Sequence, residues 1–194
     1  MRLLSRLLFA SFAVLLTLGV SAARAEAPPV EVGKPAPSFN LPATQIEKVL
    51  PDQKDAKTLK LSDFSKGANA KNVVLFFYPK AMTPGCTRES CKFRDLNKEF
   101  AKLDTVIIGI STDKLDAQKK FTDKESLNFP LLADSDKKIA KSYGVLNPDR
   151  GFANRATFVI DKKGIIRKIY PKANADKNPD EVLTWVKENL AARK

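Results

Sequence analysis

Cys86 and Cys91 are the two cysteines of a 194-residue chain that contains no histidine. Lacking imidazole, the chain cannot build a Ser-His-Asp triad, a Cys-His dyad or an imidazole proton shuttle. Two thiols alone are too few for a four-ligand structural zinc site. Catalysis would have to run on Cys, carboxylates, Lys, Arg, Tyr or hydroxyls. Cys86 follows Thr83-Pro84-Gly85, which has the form of a helix start. Thr83 is a good N-cap and Pro84 a good first helical residue. A sulfur in the first helical turn meets unpaired N–H groups and the positive end of the helix dipole. Both favour the thiolate, the nucleophilic form, with no neighbouring base. Gly85 lets another group approach the backbone closely. The plainer alternative is that Cys86 is a small buried hydrophobe.

Cys91 is five residues further on. In an intact helix that spacing separates the two Cα atoms by about 8.7 Å, from standard radius and rise. A disulfide needs about 4.4–6.8 Å. The two cysteines can share a helix only while reduced, and joining them must unwind at least a turn. A static bridge in a segment that is never helical is one possibility. The spacing suggests the other, a redox switch coupled to local unwinding. It is not the CxxC of dithiol oxidoreductases.

The surrounding pattern shows what would hold these residues. Val73-Val74-Leu75-Phe76-Phe77-Tyr78 is apolar throughout, the mark of a central strand covered on both faces. Pro79 ends it. From Pro84, the residues Phe93, Leu96, Phe100 and Leu103 recur at helical spacing. A second apolar strand is predicted over 106–110, a helix over 115–124 and a short extended piece over 129–132. A helix over 136–143 is stopped by Gly144. Residues 157–160 and 165–170 form a hairpin around Asp161-Lys162-Lys163-Gly164. The chain closes with an amphipathic helix over 179–190. Upstream, 26–40 is Pro-rich and extended, 42–57 reads as a polar surface loop, and Leu59-Lys60-Leu61 as a short strand. The fold class is α/β, with parallel and antiparallel pairing in one central mixed sheet flanked by helices. In such sheets sites form at the C-terminal ends of strands beside helix N-termini, where Cys86 falls.

The first 25 residues read as a cleaved leader outside the fold. Arg2 and Arg6 form a positive start, Leu7 to Val20 an apolar run, and Ala23-Arg24-Ala25 an A-x-A cleavage site before Glu26. The expected organisation is a secretory signal peptide at 1–25 and one domain at 26–194, exported to the periplasm without stable membrane insertion. The formal charge of +12 loses Arg2, Arg6 and Arg24 on cleavage. The remaining basic residues are scattered lysines with acids interleaved. Nucleic-acid binding wants them clustered with stacking aromatics, so the charge reads as a solvated surface.

The segment Pro79-Lys80-Ala81-Met82-Thr83-Pro84-Gly85-Cys86 fits the P-x-x-x-T-x-x-C signature of peroxiredoxins. The stretch from Phe77 through Thr87-Arg88-Glu89-Ser90-Cys91 resembles the bacterioferritin-comigratory-protein, or peroxiredoxin Q, branch. Similarity extends over Val32 to Phe39, Leu61 to Phe64, Tyr143-Gly144-Val145 and Arg155 to Asp161. The resemblance implies a thioredoxin-like fold and a thiol peroxidase that needs no cofactor or metal. It implies that Cys86 is the peroxidatic cysteine and Cys91 the resolving one. Thr83 would hold thiolate and peroxide by its hydroxyl, Pro79 would wall the pocket against water, and Arg155 would supply donors. Glu89 would orient Arg155 or be an exposed helix acid. The partners implied are a peroxide and a thioredoxin-like dithiol reductant, with the enzyme a monomer. The chain departs from the pattern in a longer 42–57 loop and in lacking a C-terminal His.

Overall fold

The computed structural model describes residues 30–190 except 54, 66, 68 and 69. The expected leader at 1–25 lies outside the described residues. The first apolar run is strand β3 (Asn72–Phe77), buried at every position. It lies in the middle of a five-stranded sheet of order β5-β4-β3-β6-β7. β4 (Thr105–Ser111) and β5 (Leu131–Ala133) extend it in parallel on one side. The antiparallel hairpin β6 (Ala156–Ile160) and β7 (Ile166–Tyr170) extends it on the other. The mixed pairing predicted from the sequence is present.

Side chains of β3 alternate between two cores, as a strand requires. Val73, Leu75 and Phe77 face one core, with Tyr143, Phe158 and Phe64. Val74, Phe76 and Tyr78 face the other, under α1 (Pro84–Ala101), α2 (Leu115–Lys124) and α4 (Asn178–Asn189). Helix α2 has the predicted bounds. α3 (Lys138–Ser142) is shorter than its predicted span. Its start is set by buried Asp134, whose carboxylate accepts from the N–H groups of Ile139 (3.1 Å) and Ala140 (2.7 Å). Gly144, at φ +67°, ends it.

The polar segment read as a surface loop does more than connect. β1 (Asn40–Pro42) and β2 (Thr58–Lys60) pair as a small antiparallel ribbon. From it, Ala43 bridges to Leu132 of β5. The Thr44 N–H donates to the Leu131 carbonyl (3.0 Å), and the Leu131 N–H donates to the Thr44 hydroxyl (3.1 Å). Ile46, in the following 3-10 turn, is buried. This segment covers the open edge of β5, where unpaired backbone groups would otherwise invite another strand.

Candidate active site

Past β3, the Tyr78 N–H still reaches the Ile110 carbonyl (3.1 Å), and the chain then turns through residues 79–83 into α1. Two contacts fix this turn. The Ala81 N–H donates to the Asp113 carboxylate (2.8 Å), which also accepts from the Ser111 hydroxyl (2.8 Å). Met82 takes a left-handed backbone (φ +61°), unusual for a residue with a side chain. Thr83 occupies the N-cap position, but its hydroxyl does not cap the helix. It donates to the Lys80 carbonyl (2.9 Å). With its proton so committed, the Thr83 oxygen keeps its lone pairs free to accept. Pro79 is half-buried where the strand ends.

Cys86 lies in the first turn of α1, 1% exposed. Arg155, just before β6, reaches it across the sheet, with Nη2 3.3 Å from Sγ. The other end of the same guanidinium pairs through Nη1 with Glu89, one turn further along α1. Glu89 is fully buried, which settles its place as Arg155's partner and not an exposed helix acid. Burial pushes its carboxyl up to about 7, against the pull of Arg155. Gly85 lies beside the guanidinium as its small size suggested. A Cβ there would sit 3.5 Å from Arg155 Nη2, an ordinary contact, so the approach does not demand glycine.

Cys91 is half-buried on the same continuous helix, and both thiols are free. Its Sγ–H points at the Glu125 carboxylate, 3.7 Å away. Burial raises this thiol first, with Arg94 opposing and Glu125 adding to the rise. The structure thus brings Cys86, Arg155 and Glu89 together, with Thr83 at the N-cap of the same helix and Pro79 at the end of β3, and holds Cys91 apart beside Glu125. Sequence reasoning missed Asp113, Gln118 and Glu125. Buried Gln118 accepts from the Tyr78 hydroxyl and donates to the Ser111 hydroxyl (2.9 Å) and the Leu132 carbonyl (2.8 Å). The signal available was Ser111-Thr112-Asp113 directly after an apolar strand, a polar cluster at the sheet end where sites form.

A helix-start thiol with an arginine on its sulfur, at the end of a central strand of a mixed sheet, fits a thiol peroxidase on a thioredoxin-like fold. The comparisons agree. The AhpC/TSA family matches residues 32–169. "Peroxiredoxin Bcp" of Bacillus subtilis is 39% identical over 165 residues, covering 82% of this chain and 96% of that protein. "Peroxiredoxin Bcp" of Escherichia coli K12 is 36% identical over 168 residues, covering 83% and 98%. Among solved structures, peroxidoxin BcpB of Mycobacterium tuberculosis superposes with a TM-score of 0.71 at 34% identity, covering 85% of this chain and 99% of that one. The chain belongs to the AhpC/TSA family, in its Bcp and peroxiredoxin Q branch. It is a thiol-dependent peroxidase of the atypical two-cysteine type, which acts on peroxide and takes electrons from a thioredoxin-like reductant.

Proposed function

We propose that Cys86 is the sulfur that attacks peroxide and Cys91 the thiol that resolves the product. The observation that carries this is Arg155 Nη2 at 3.3 Å from the Cys86 Sγ in the first turn of α1. The thiolate attacks one peroxide oxygen. The O–O bond breaks, and the other oxygen leaves as alkoxide or hydroxide and takes up a proton. Sulfur is oxidised to sulfenic acid and the peroxide is reduced. Arg155 and the helix-terminal N–H groups stabilise charge as it develops on the oxygens. The Thr83 oxygen accepts from the peroxide O–H, a role narrower than holding the thiolate as well. Pro79 excludes water from the sulfur.

Cys91 then attacks the Cys86 sulfenic acid. The S–S bond forms, the S–O bond breaks, and water leaves. A dithiol reductant restores both thiols by exchange. Hydrogen peroxide and organic hydroperoxides are the proposed substrates. The bacterioferritin comigratory protein of Xanthomonas campestris, 25% identical to this chain, is described as having alkyl peroxide reduction activity. We further propose export after cleavage before Glu26, and a monomeric enzyme. The family match begins at residue 32, downstream of the leader. Among the described residues, no helix is long and apolar enough to cross a membrane.

Cys86→Ser is expected to abolish peroxide turnover. Cys91→Ser is expected to keep one stoichiometric turnover and to form no intramolecular bridge by intact mass. Sustained turnover by Cys86→Ser would overturn the assignment.

A further inference from the structure

The two ends of α1 are anchored by different physics. From Phe93 onward its inner face is aromatic. Phe93 stacks on Phe76 (centroids 4.6 Å apart), and Phe100 is fully buried beside it. Before Phe93 the inner face is Cys86, Glu89 and Ser90, all buried. Two polar atoms there, Glu89 Oε1 and Ser90 Oγ, have no hydrogen-bond partner among the described residues. Burying such atoms costs free energy that unwinding returns.

The outer face of the same segment carries the opposing contacts. Arg88 Nε donates to Asp176 (2.7 Å), with Nη2 at 3.4 Å from its second oxygen. Lys92 lies one helical turn on, on the same face. It pairs with Asp180 and donates to the Asp176 carbonyl (3.0 Å). The acids sit on a fixed base. Asp176 is held by the Asn174 side chain (2.9 Å), and α4 is pinned where the Thr157 hydroxyl bonds buried Asn178 (2.6 Å). Joining Cys86 to Cys91 must unwind the turn that contains Arg88, which displaces Arg88 from Asp176, while Lys92 and its contacts flank the unwound segment.

We propose that Asp176 and Asp180 are positioning residues that latch the first turns of α1 and so set the rate of the resolving step. The proposal rests on the Cys86–Cys91 disulfide proposed above. The latch acts only on the equilibrium between wound and unwound α1. It therefore controls how soon Cys91 reaches the Cys86 sulfenic acid, and leaves the attack on peroxide alone. A longer-lived sulfenic acid is exposed to a second peroxide, which oxidises it to sulfinic acid with release of water.

The test uses the full mature chain, a hydrogen peroxide pulse, rapid alkylating quench and intact mass. Asp176→Ala/Asp180→Ala is expected to form the disulfide about two- to fivefold faster, the range open to exposed ion pairs, and to accumulate less sulfinic acid. Ser90→Ala removes an unpartnered buried hydroxyl and adds helix propensity. It is expected to slow the disulfide by a similar factor and raise the sulfinic fraction. Loss of the Cys86 thiol in the first step should be unchanged in both. Asp176→Glu, which keeps the charge, should form the disulfide at the wild-type rate. Added salt should speed disulfide formation in the wild type and not in the double variant. If the wild type forms the disulfide and Asp176→Ala/Asp180→Ala forms it at the same rate, the latch is refuted while the cysteine roles stand. If the wild type forms no intramolecular disulfide, both fail.

Discussion

Arg155 serves two acidic groups at once, the Cys86 sulfur through Nη2 and the Glu89 carboxylate through Nη1. Glu89 has a consequence for stability. Its carboxyl is pushed up to about 7 by burial, with Arg155 opposing. Between the ordinary carboxylate range and that value, the folded protein keeps a proton that the unfolded chain has released. Stability contributed by this group is therefore full at low pH and is lost as pH rises toward 7. Urea unfolding should show the wild type losing on the order of 1–3 kcal/mol between pH 5 and 7.5 relative to Glu89→Gln. Parallel curves for the two proteins would refute the shift. At this scale the cysteines were legible from their spacing and helix-start flanks. Arg155 was legible only through family resemblance, since nothing in Asn154-Arg155-Ala156 marks it. Its place comes from strand pairing: β6 runs antiparallel to β3 with Ala156 opposite Phe77, which brings Arg155 to the strand end that leads into Cys86.

Elements succeed or fail here by how much of their reason is local. β3 and α1 were legible because apolar runs and helical periodicity carry their own signal. The start of α3 was not, because its cap is Asp134, upstream of the predicted start and identifiable only by the two N–H groups it accepts. The cover over β5 was not, because Thr44 is an ordinary polar residue until it meets Leu131. One packing relation links sheet to helix. Gly109 of β4 has no room for a side chain: an added Cβ would lie 2.6 Å from Leu131 Cδ2 and 2.8 Å from Phe76 Cζ. Phe76 cannot yield freely, because it is buried and stacked on Phe93 of α1. Gly109→Ala is expected to cost about 1–3 kcal/mol in urea unfolding, as overpacking does. Wild-type stability in that variant would show that the ring has space to move.

Across the whole molecule, the N-terminal part of the domain bonds to both edge strands of the sheet. At β7, the Gly33 N–H donates to the Ile166 carbonyl (2.8 Å) and the Ile166 N–H to the Lys34 carbonyl (2.9 Å). Pro35 bridges to Ile165 there, and at β5 Ala43 bridges to Leu132. All of these contacts lie downstream of Glu26. A chain beginning at Glu26 keeps all of these contacts. A chain beginning at Pro37 should melt lower. The export proposed above predicts Glu26 as the first residue of protein recovered from the periplasmic fraction, by mass measurement; an intact Met1 would refute cleavage. Bonding to both edges from this end also orders folding in time. Residues 33–43 find their partners only after β5 and the β6–β7 hairpin have been synthesised, and such distant pairings are slow to form. This stretch therefore lacks these partners until both edge strands of the sheet are in place.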